Sequence, residues 1–177
     1  MTAAGPVKAS LVIMRHGQTD YNKDHLMTGQ RDIPINKTGE TQADEVGALI
    51  KTPRFDKVYS SPLGRAFNTA ARALDAAGTQ AHLKDASGNW QIEKRTEVIE
   101  LDSGAFTGRN YITDAEVAEP FKYAKRLPDG ESIKDVVERV REFYEAEVQP
   151  RLARGENVLI SAHCFILLAF EIVLGIE

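Results

Sequence analysis

The sequence predicts an α/β fold with a mainly parallel sheet. Residues 10–15 and 158–162 are short, apolar and rich in β-branched side chains, and residues 55–61 form a third short strand pattern. Helical patterns separate them. Strands that are apolar on both faces are typical of a parallel sheet covered by helices. With 177 residues, 42% of them hydrophobic, and no repeats or linkers, we expect a single domain spanning 1–177.

The first helical pattern covers residues 38–52 and follows the strand at 10–15. Its apolar residues Val46, Leu49 and Ile50 fall on one side of a helix, which predicts that this side faces the core.

The second helical pattern runs from Pro62 to Gly78. Proline suits the first turn of a helix and glycine suits its end, so we place Pro62 in the first turn and the stop at Gly78. Residues 80–100 then alternate in polarity around a Ser-Gly-Asn turn, which predicts a strand or a hairpin.

The third helical pattern begins at Ser132. Ser132 and Asp135 have the spacing of a capping box. Apolar residues then repeat at helical spacing through Ile133, Val136, Val137, Val140, Phe143, Tyr144 and Val148.

Residues 158–176 are almost entirely apolar over about the length of a membrane span. They include His163 and Glu171, and β-branched residues precede leucine-rich ones. We therefore interpret them as a buried strand followed by a core helix.

Composition excludes several functions. The net charge of −4 provides no basic field for a nucleic-acid partner. The single cysteine cannot form a disulfide within the chain, and no Cys/His cluster has zinc spacing. The N-terminus lacks the apolar core of a signal peptide. We expect a cytoplasmic protein without membrane or nucleic-acid partners.

Basic side chains follow the predicted strands. Arg15 and His16 end the first strand, Arg65 follows the second by a few residues, and His163 ends the last. Ligands of open α/β sheets bind at the carboxyl ends of the strands, so we expect these four residues to meet. Two guanidinium groups and two imidazoles suit a dianionic phosphoryl group.

A neutral imidazole in such a site could attack phosphorus if its other ring nitrogen were held by an acceptor. The arginines would offset charge on the transferring oxygens, so no metal is required. Protonation of the leaving oxygen needs an acid, and Glu97, Glu100 and Asp102 precede Gly104. Chemistry alone does not separate Glu100 from Asp102.

Several ordered segments resemble the histidine phosphatase superfamily, the group that contains cofactor-dependent phosphoglycerate mutases. The resemblance covers nearly the whole chain and rests on these motifs: LVIMRHGQTDYN with MTGQRDIPINKTGETQA after it, YSSPLGRAFNTAARAL, ELDSGAFTG, PDGES and VLISAH.

The resemblance implies a three-layer α/β/α sandwich, a phosphohistidine intermediate, and a role for each matching residue. His16 would be the nucleophile and Glu100 the proton donor. The remaining implied site residues are Arg15, Arg65 and His163 around the phosphate, Thr19 and Asn22 as further polar contacts, and Thr28 and Gly29 in the substrate loop.

The chain departs from the family pattern near its C-terminus. Cys164 stands where the family usually has glycine, Phe165 where mutases have asparagine, and Leu168 where arginine is frequent. We expect Cys164 to be a small buried residue without a redox role. The family usually adds a further segment after the position of Glu177, so C-terminal truncation is one expectation.

The region expected to cap the site, about 109–128, is short and offers Arg109, Lys122, Lys125 and Arg126 as cations. Mutases of this family carry a longer insert with paired arginines there. Phe165 and the short cap favour a phosphatase acting on a small phosphorylated metabolite without a cofactor, as a monomer or homodimer. The segment after the cap instead resembles the mutase branch. A phosphoglycerate mutase primed by 2,3-bisphosphoglycerate is therefore the alternative, and a non-catalytic binding protein is a third.

Overall fold

A computed structural model describes residues 8–119 and 121–176. Its sheet contains four parallel strands in the order β1-β4-β2-β3. The strands are β1 Leu11–Arg15, β2 Lys57–Ser60, β3 Ile92–Lys94 and β4 Val158–Ala162. All five residues of β4 are buried, as expected for the centre of a parallel sheet. The predicted α/β class with a parallel sheet is confirmed.

Helices cover both faces of this sheet. They are α1 Asp20–Lys23, α2 Lys37–Leu49, α3 Gly64–Ala77, α4 Ile133–Phe143, α5 Gln149–Ala153 and α6 Cys164–Leu174. One apolar core joins β4 to α4 and α6 through residues such as Ile160, Val140 and Phe170. A second core joins the opposite face to α3 through Leu159 and Leu74. The architecture is a three-layer α/β/α sandwich.

Helix α2 buries only part of the predicted face, on which Val46 packs against the core. Ile50 is buried just after the helix, but Leu49 is 78% exposed, so its predicted place in the core is wrong. The buried residues within α2 are Gly39, Ala43 and Gly47. A Cβ at Gly47 would lie 2.6 Å from the Cβ of Ala76. Small residues therefore bring α2 close to α3, and they share the buried face with Val46 and Ile50.

The start of α3 also differs from the prediction. The helix begins at Gly64 with Leu63 as its N-cap, so Pro62 lies before the helix rather than in its first turn. Leu63 is extended (ψ 134°), because residues 61–63 first turn the chain away from the sheet. At the other end, Gly78 adopts the left-handed conformation (φ 67°) as the predicted stop.

Residues 80–100 contain the predicted strand, β3, but almost no hairpin. One antiparallel bridge joins Lys84 to Trp90. Asp85 accepts hydrogen bonds from the backbone N–H groups of Ser87 and Asn89 and closes a tight loop. The chain then runs beside β2 as a parallel edge strand, because pairing with β2 extends the sheet.

The capping box at Ser132 and Asp135 is present at the start of α4. The predicted helix continues beyond α4 through one π-helical segment, Tyr144–Val148, into α5. At the end of the chain, residues 158–174 form β4 and α6, as the interpretation of this apolar stretch expected. None of the helices described is long and apolar enough to cross a membrane.

Candidate active site

Two histidines lie side by side at the carboxyl edge of the sheet. Strands β1 and β4 pair with Arg15 opposite Ala162, and the His16 N–H donates to the Ala162 carbonyl at 3.0 Å. This register places His16 next to His163, with ring centroids 5.1 Å apart and planes inclined by 60°. The two predicted strand-end histidines therefore meet because their strands are neighbours.

The His16 ring is oriented by its own loop. Its Nδ1 lies 2.7 Å from the carbonyl oxygen of Gly17, an acceptor, so Nδ1 carries the hydrogen and Nε2 keeps its lone pair. Burial, with smaller contributions from the charges of Arg65 and Arg15, lowers the pKa of His16 to about 3. The imidazole is therefore neutral at pH 7, the state that nucleophilic attack requires.

His163 is fully buried, and neither ring nitrogen has a hydrogen-bond partner among the residues described. Burial and the charge of Arg65 hold its pKa well below 6.5, so it too is neutral. Buried polar atoms are normally paired. An unpaired neutral imidazole can donate one hydrogen bond to a phosphoryl oxygen that enters beside His16.

Arg65 has no exposed surface and does not line the cavity, but, in addition to burial, its charge lowers the pKa of His16 and His163. Its Nη1 donates to the carbonyl of Arg31 at 2.6 Å and its Nη2 to that of Gly29 at 2.8 Å. The buried Nε has no partner in the described part of the chain. Two carbonyl dipoles hold the guanidinium without neutralising its charge, which leaves a buried cation suited to an anion. Arg15, by contrast, is exposed and lines the cavity.

Glu100 lies on the cavity wall and is only 9% exposed. Its Oε1 accepts the backbone N–H groups of Leu101 at 2.9 Å and Phe165 at 3.3 Å. Burial raises its pKa against the opposing effect of these hydrogen bonds and of Arg65. A carboxyl group with a raised pKa can hold a proton on Oε2 for delivery to a leaving group.

Asp102 has a different environment. Its Oδ1 accepts the backbone N–H of Gly104 at 2.9 Å, and it does not line the cavity. Gly104 has a left-handed φ of 49°, and Asp102 stabilises the turn into it. The geometry separates the two carboxylates that chemistry alone left equal, and it favours Glu100 as the acid.

The polar residues implied for substrate contact occupy different positions. Asn22, Thr28 and Gly29 line the cavity, and the Thr28 hydroxyl is buried without a partner among the residues described. Thr19 lies behind the wall, fully buried, where its hydroxyl donates to Asn22 Oδ1 at 3.0 Å. Thr19 therefore turns the Asn22 amide so that its Nδ2 is the remaining donor. Gly29 holds Arg65 through its carbonyl.

The cavity has a volume of roughly 440 Å³. Besides the residues above, an apolar wall surrounds it, formed by Leu26, Met27, Tyr111, Val117, Phe121 and Phe165. Sequence reasoning named Phe165 only as a departure from the family and missed the other five. Their sequence signal is weak, because apolar residues in short irregular segments have no periodicity that points to a shared surface.

Cys164 is exposed and lines the cavity, so the prediction of a buried residue is wrong. It begins α6 immediately after His163, where the first turn of a helix faces the strand edges. Among the described residues, only His25 and Asp129 combine a side chain with a positive φ. The replacement of the usual glycine by Cys164 therefore imposes no backbone strain, and His163 keeps its place.

The cap, residues 109–128, contains turns but neither helix nor strand in its described part. An isolated bridge between Leu26 and Asn110 joins it to the loop that carries Thr28. Arg109 is held by Asp114 at 2.7 Å and Glu116 at 2.8 Å.

The other three cap cations also lie outside the catalytic cavity. Lys122, Lys125 and Arg126 line a neighbouring cavity of roughly 510 Å³. Arg126 also pairs with Asp135 at 2.7 Å. Of the charged side chains that line the catalytic cavity in the described ranges, only Arg15 is a cation.

No group of three or more His, Cys, Asp or Glu side chains within 8–119 and 121–176 is arranged to hold a metal ion. The charge available to a ligand comes from the arginines, so the geometry describes an anion site built on side chains.

Comparison with known proteins agrees with this geometry. Residues 11–174 match the histidine phosphatase superfamily (branch 1), and the chain belongs to that family. The 2,3-bisphosphoglycerate-dependent phosphoglycerate mutase of Bifidobacterium longum is 33% identical, over 86% of this chain and 72% of the mutase. That of Parvibaculum lavamentivorans is 36% identical, over 86% and 73%.

Solved structures show the same fold. A mycobacterial glucosyl-3-phosphoglycerate phosphatase has a TM-score of 0.75 and 25% identity, over 96% of this chain and 84% of the phosphatase. A phosphoglycerate mutase from Bacillus anthracis has a TM-score of 0.76 at 23% identity, over 92% and 78%. The latter supports the fold alone.

Proposed function

We propose that this protein is a phosphatase that hydrolyses a small phosphorylated metabolite through a phosphohistidine on His16. The observation that carries the proposal is the Nδ1 contact of His16 with the Gly17 carbonyl, which leaves a neutral Nε2 beside two arginines. A nucleophile, an anion site and an acid share one cavity, and each needs the protonation state that its surroundings favour.

In the first step, Nε2 of His16 attacks phosphorus as the bond from phosphorus to the ester oxygen breaks. Arg15, Arg65 and His163 donate to the phosphoryl oxygens, with Asn22 and Thr28 as further polar contacts. Their hydrogen bonds offset the charge on these oxygens in the transition state. Glu100 gives its proton to the departing oxygen, so the alcohol leaves neutral.

In the second step, water attacks the phosphohistidine. Glu100, now ionised, accepts a proton from this water as its oxygen bonds to phosphorus, and the bond from Nε2 to phosphorus breaks. Inorganic phosphate forms, and His16 and Glu100 return to their starting states. No step needs a metal or an organic cofactor, because side chains supply the charge and the protons.

The cap favours water over a second hydroxyl group as the acceptor. A phosphoglycerate carries a carboxylate that must be gripped for return of the phosphoryl group. Arg109 is held by Asp114 and Glu116, and the other cap cations line the neighbouring cavity. Hydrolysis makes no such demand on the cap.

A phosphoglycerate mutase primed by 2,3-bisphosphoglycerate is the second candidate. It is favoured by the identity of 33–36% to relatives with that name. The deciding experiment measures phosphate release from a panel of metabolite phosphates beside isomerisation of 3-phosphoglycerate, with and without 2,3-bisphosphoglycerate. Phosphate release without isomerisation supports the phosphatase. Isomerisation without net phosphate release would overturn it.

The intermediate has its own test. Rapid quenching with labelled substrate should trap a phosphoenzyme that survives base and is lost on brief acid treatment, as a phosphoramidate is. Label that persists in His16→Ala would remove His16 from the nucleophile role.

A further inference from the structure

We infer that the leaving group of the substrate is apolar and carries no second anionic group. The inference rests on the proposed function, since it names the class of phosphoester that the cavity accepts. Phe121 of the cap and Phe165 of α6 form the wall that receives this group, and Glu119 acts against anionic substrates.

The position of the leaving group follows from the acid. Oε1 of Glu100 accepts the backbone N–H of Phe165 at 3.3 Å, so the side chain of Phe165 begins beside the carboxyl group. The ring of Phe165 packs against that of Phe121, with centroids 5.4 Å apart and planes inclined by 32°. Whatever takes the proton from Glu100 therefore lies next to two aromatic rings.

The rest of the wall has the same character. Leu26, Tyr111 and Val117 join the two phenylalanines around a cavity of roughly 440 Å³, which exceeds the needs of a phosphoryl group alone. Binding is favourable when the apolar surface of a ligand displaces water from a cavity that is lined by apolar side chains. A hydrocarbon group on the ester oxygen fits this wall better than a polyhydroxylated or charged one.

Charge gives a second, independent indication. Glu119 lines the cavity and is exposed, so it lies on the open side of the cavity. Arg15, the one lining cation in the described ranges, belongs to the phosphate site. A substrate carboxylate beyond the phosphate would contact phenyl rings and the like charge of Glu119. Neither group can replace the hydrogen bonds that the carboxylate made with water, so its binding would be unfavourable.

The test measures binding of non-hydrolysable n-alkylphosphonates, ethyl to hexyl, by calorimetry on the intact protein. Affinity should rise by up to about fourfold for each added methylene, which corresponds to ~0.8 kcal/mol. This gain in affinity per methylene should be smaller in Phe121→Ala and Phe165→Ala, whereas Phe165→Leu should keep most of it. Tyr123→Ala, an exposed aromatic of the cap outside the cavity, should keep the wild-type slope.

A matched pair tests charge. 3-Methylbutylphosphonate has the shape of 3-phosphonopropionate without the carboxylate. 3-Phosphonopropionate should bind at least about tenfold more weakly than 3-methylbutylphosphonate. Glu119→Gln should reduce this difference in affinity. A flat chain-length series in the wild type, or preference for the carboxylate, overturns the inference. Because phosphonate binding needs no turnover, the two proposals fail separately. A steep phosphonate series together with no phosphate release from the corresponding alkyl phosphates would refute the proposed hydrolysis and leave the inference about the bound group standing.

Discussion

The neutral state of His16 makes folding stability depend on pH in a predictable direction. Below pH 6.5 an unfolded chain binds a proton at this histidine, whereas the folded chain does not until the pH approaches about 3. The unfolded state therefore binds more protons in this window, so the free energy of unfolding decreases as the pH falls. From pH 7 to pH 5 the loss due to His16 is about 2 kcal/mol, from ~1.36 kcal/mol per pKa unit.

The perturbation is His16→Asn, which removes the titration and keeps a neutral side chain able to donate to the Gly17 carbonyl. Urea unfolding of both proteins at pH 8, 7 and 5 gives the free energies. The wild type should lose about 2 kcal/mol more than the variant between pH 7 and pH 5. Contributions of other groups largely cancel in the difference. They include His163, which acts in the same direction and whose pKa is lowered mainly by burial and Arg65 rather than by His16, and Glu100, whose raised pKa acts in the opposite direction.

The interval from pH 8 to pH 7 serves as the control. In the unfolded chain His16 is about one quarter protonated at pH 7, which contributes only ~0.1 kcal/mol over this interval, so the two proteins should change nearly in parallel. Parallel behaviour down to pH 5 would mean that His16 titrates normally in the folded chain. The lowered pKa of His16, which the proposed mechanism takes to hold the nucleophile neutral, would then have to be abandoned.

Three further predictions concern the same cavity. Glu100→Gln should lose ~10²–10⁴-fold in kcat/KM on an alkyl phosphate and far less on nitrophenyl phosphate, because only the alkoxide leaving group needs the proton. Asp102→Asn should show no such difference between the two substrates. Equal losses on both substrates in Glu100→Gln would mean that Glu100 has a structural role. Dialysis against a chelator should leave the rate unchanged, and loss that magnesium restores would contradict the mechanism. Gly29→Ala should lower the free energy of unfolding by ~1–3 kcal/mol in urea titrations, because φ is +50° and a Cβ would overlap Ser103 Oγ; unchanged stability would show that the loop can relax.

Local sequence signals were sufficient for most of the fold. The apolar strand at 158–162, the capping box at Ser132 and the stop at Gly78 depend on interactions within a few residues, and each is present. The exposure of the Leu49 side chain was not predictable in this way. Which side of α2 is buried depends on how closely α2 approaches α3, and that distance is set by the small residues of both helices.

The site divides along the same line. The sequence by itself determined that Arg15, His16 and His163 lie at the ends of strands, and the carboxyl ends of neighbouring parallel strands share one edge of the sheet. It could not separate Glu100 from Asp102, because the difference is burial against Phe165 for one and a turn hydrogen bond for the other.

Only the tertiary structure decided what surrounds the phosphate. Tyr111, Val117 and Phe121 come from an irregular segment whose residues have no common periodicity, and they meet Leu26 and Phe165 from distant parts of the chain. Pairing of β1 with β4 places His16 beside His163, and this pairing is regular and can be inferred from sequence patterns. The apolar wall is placed by the packing of the cap against a loop and the start of α6, and no short-range sequence pattern predicts that packing.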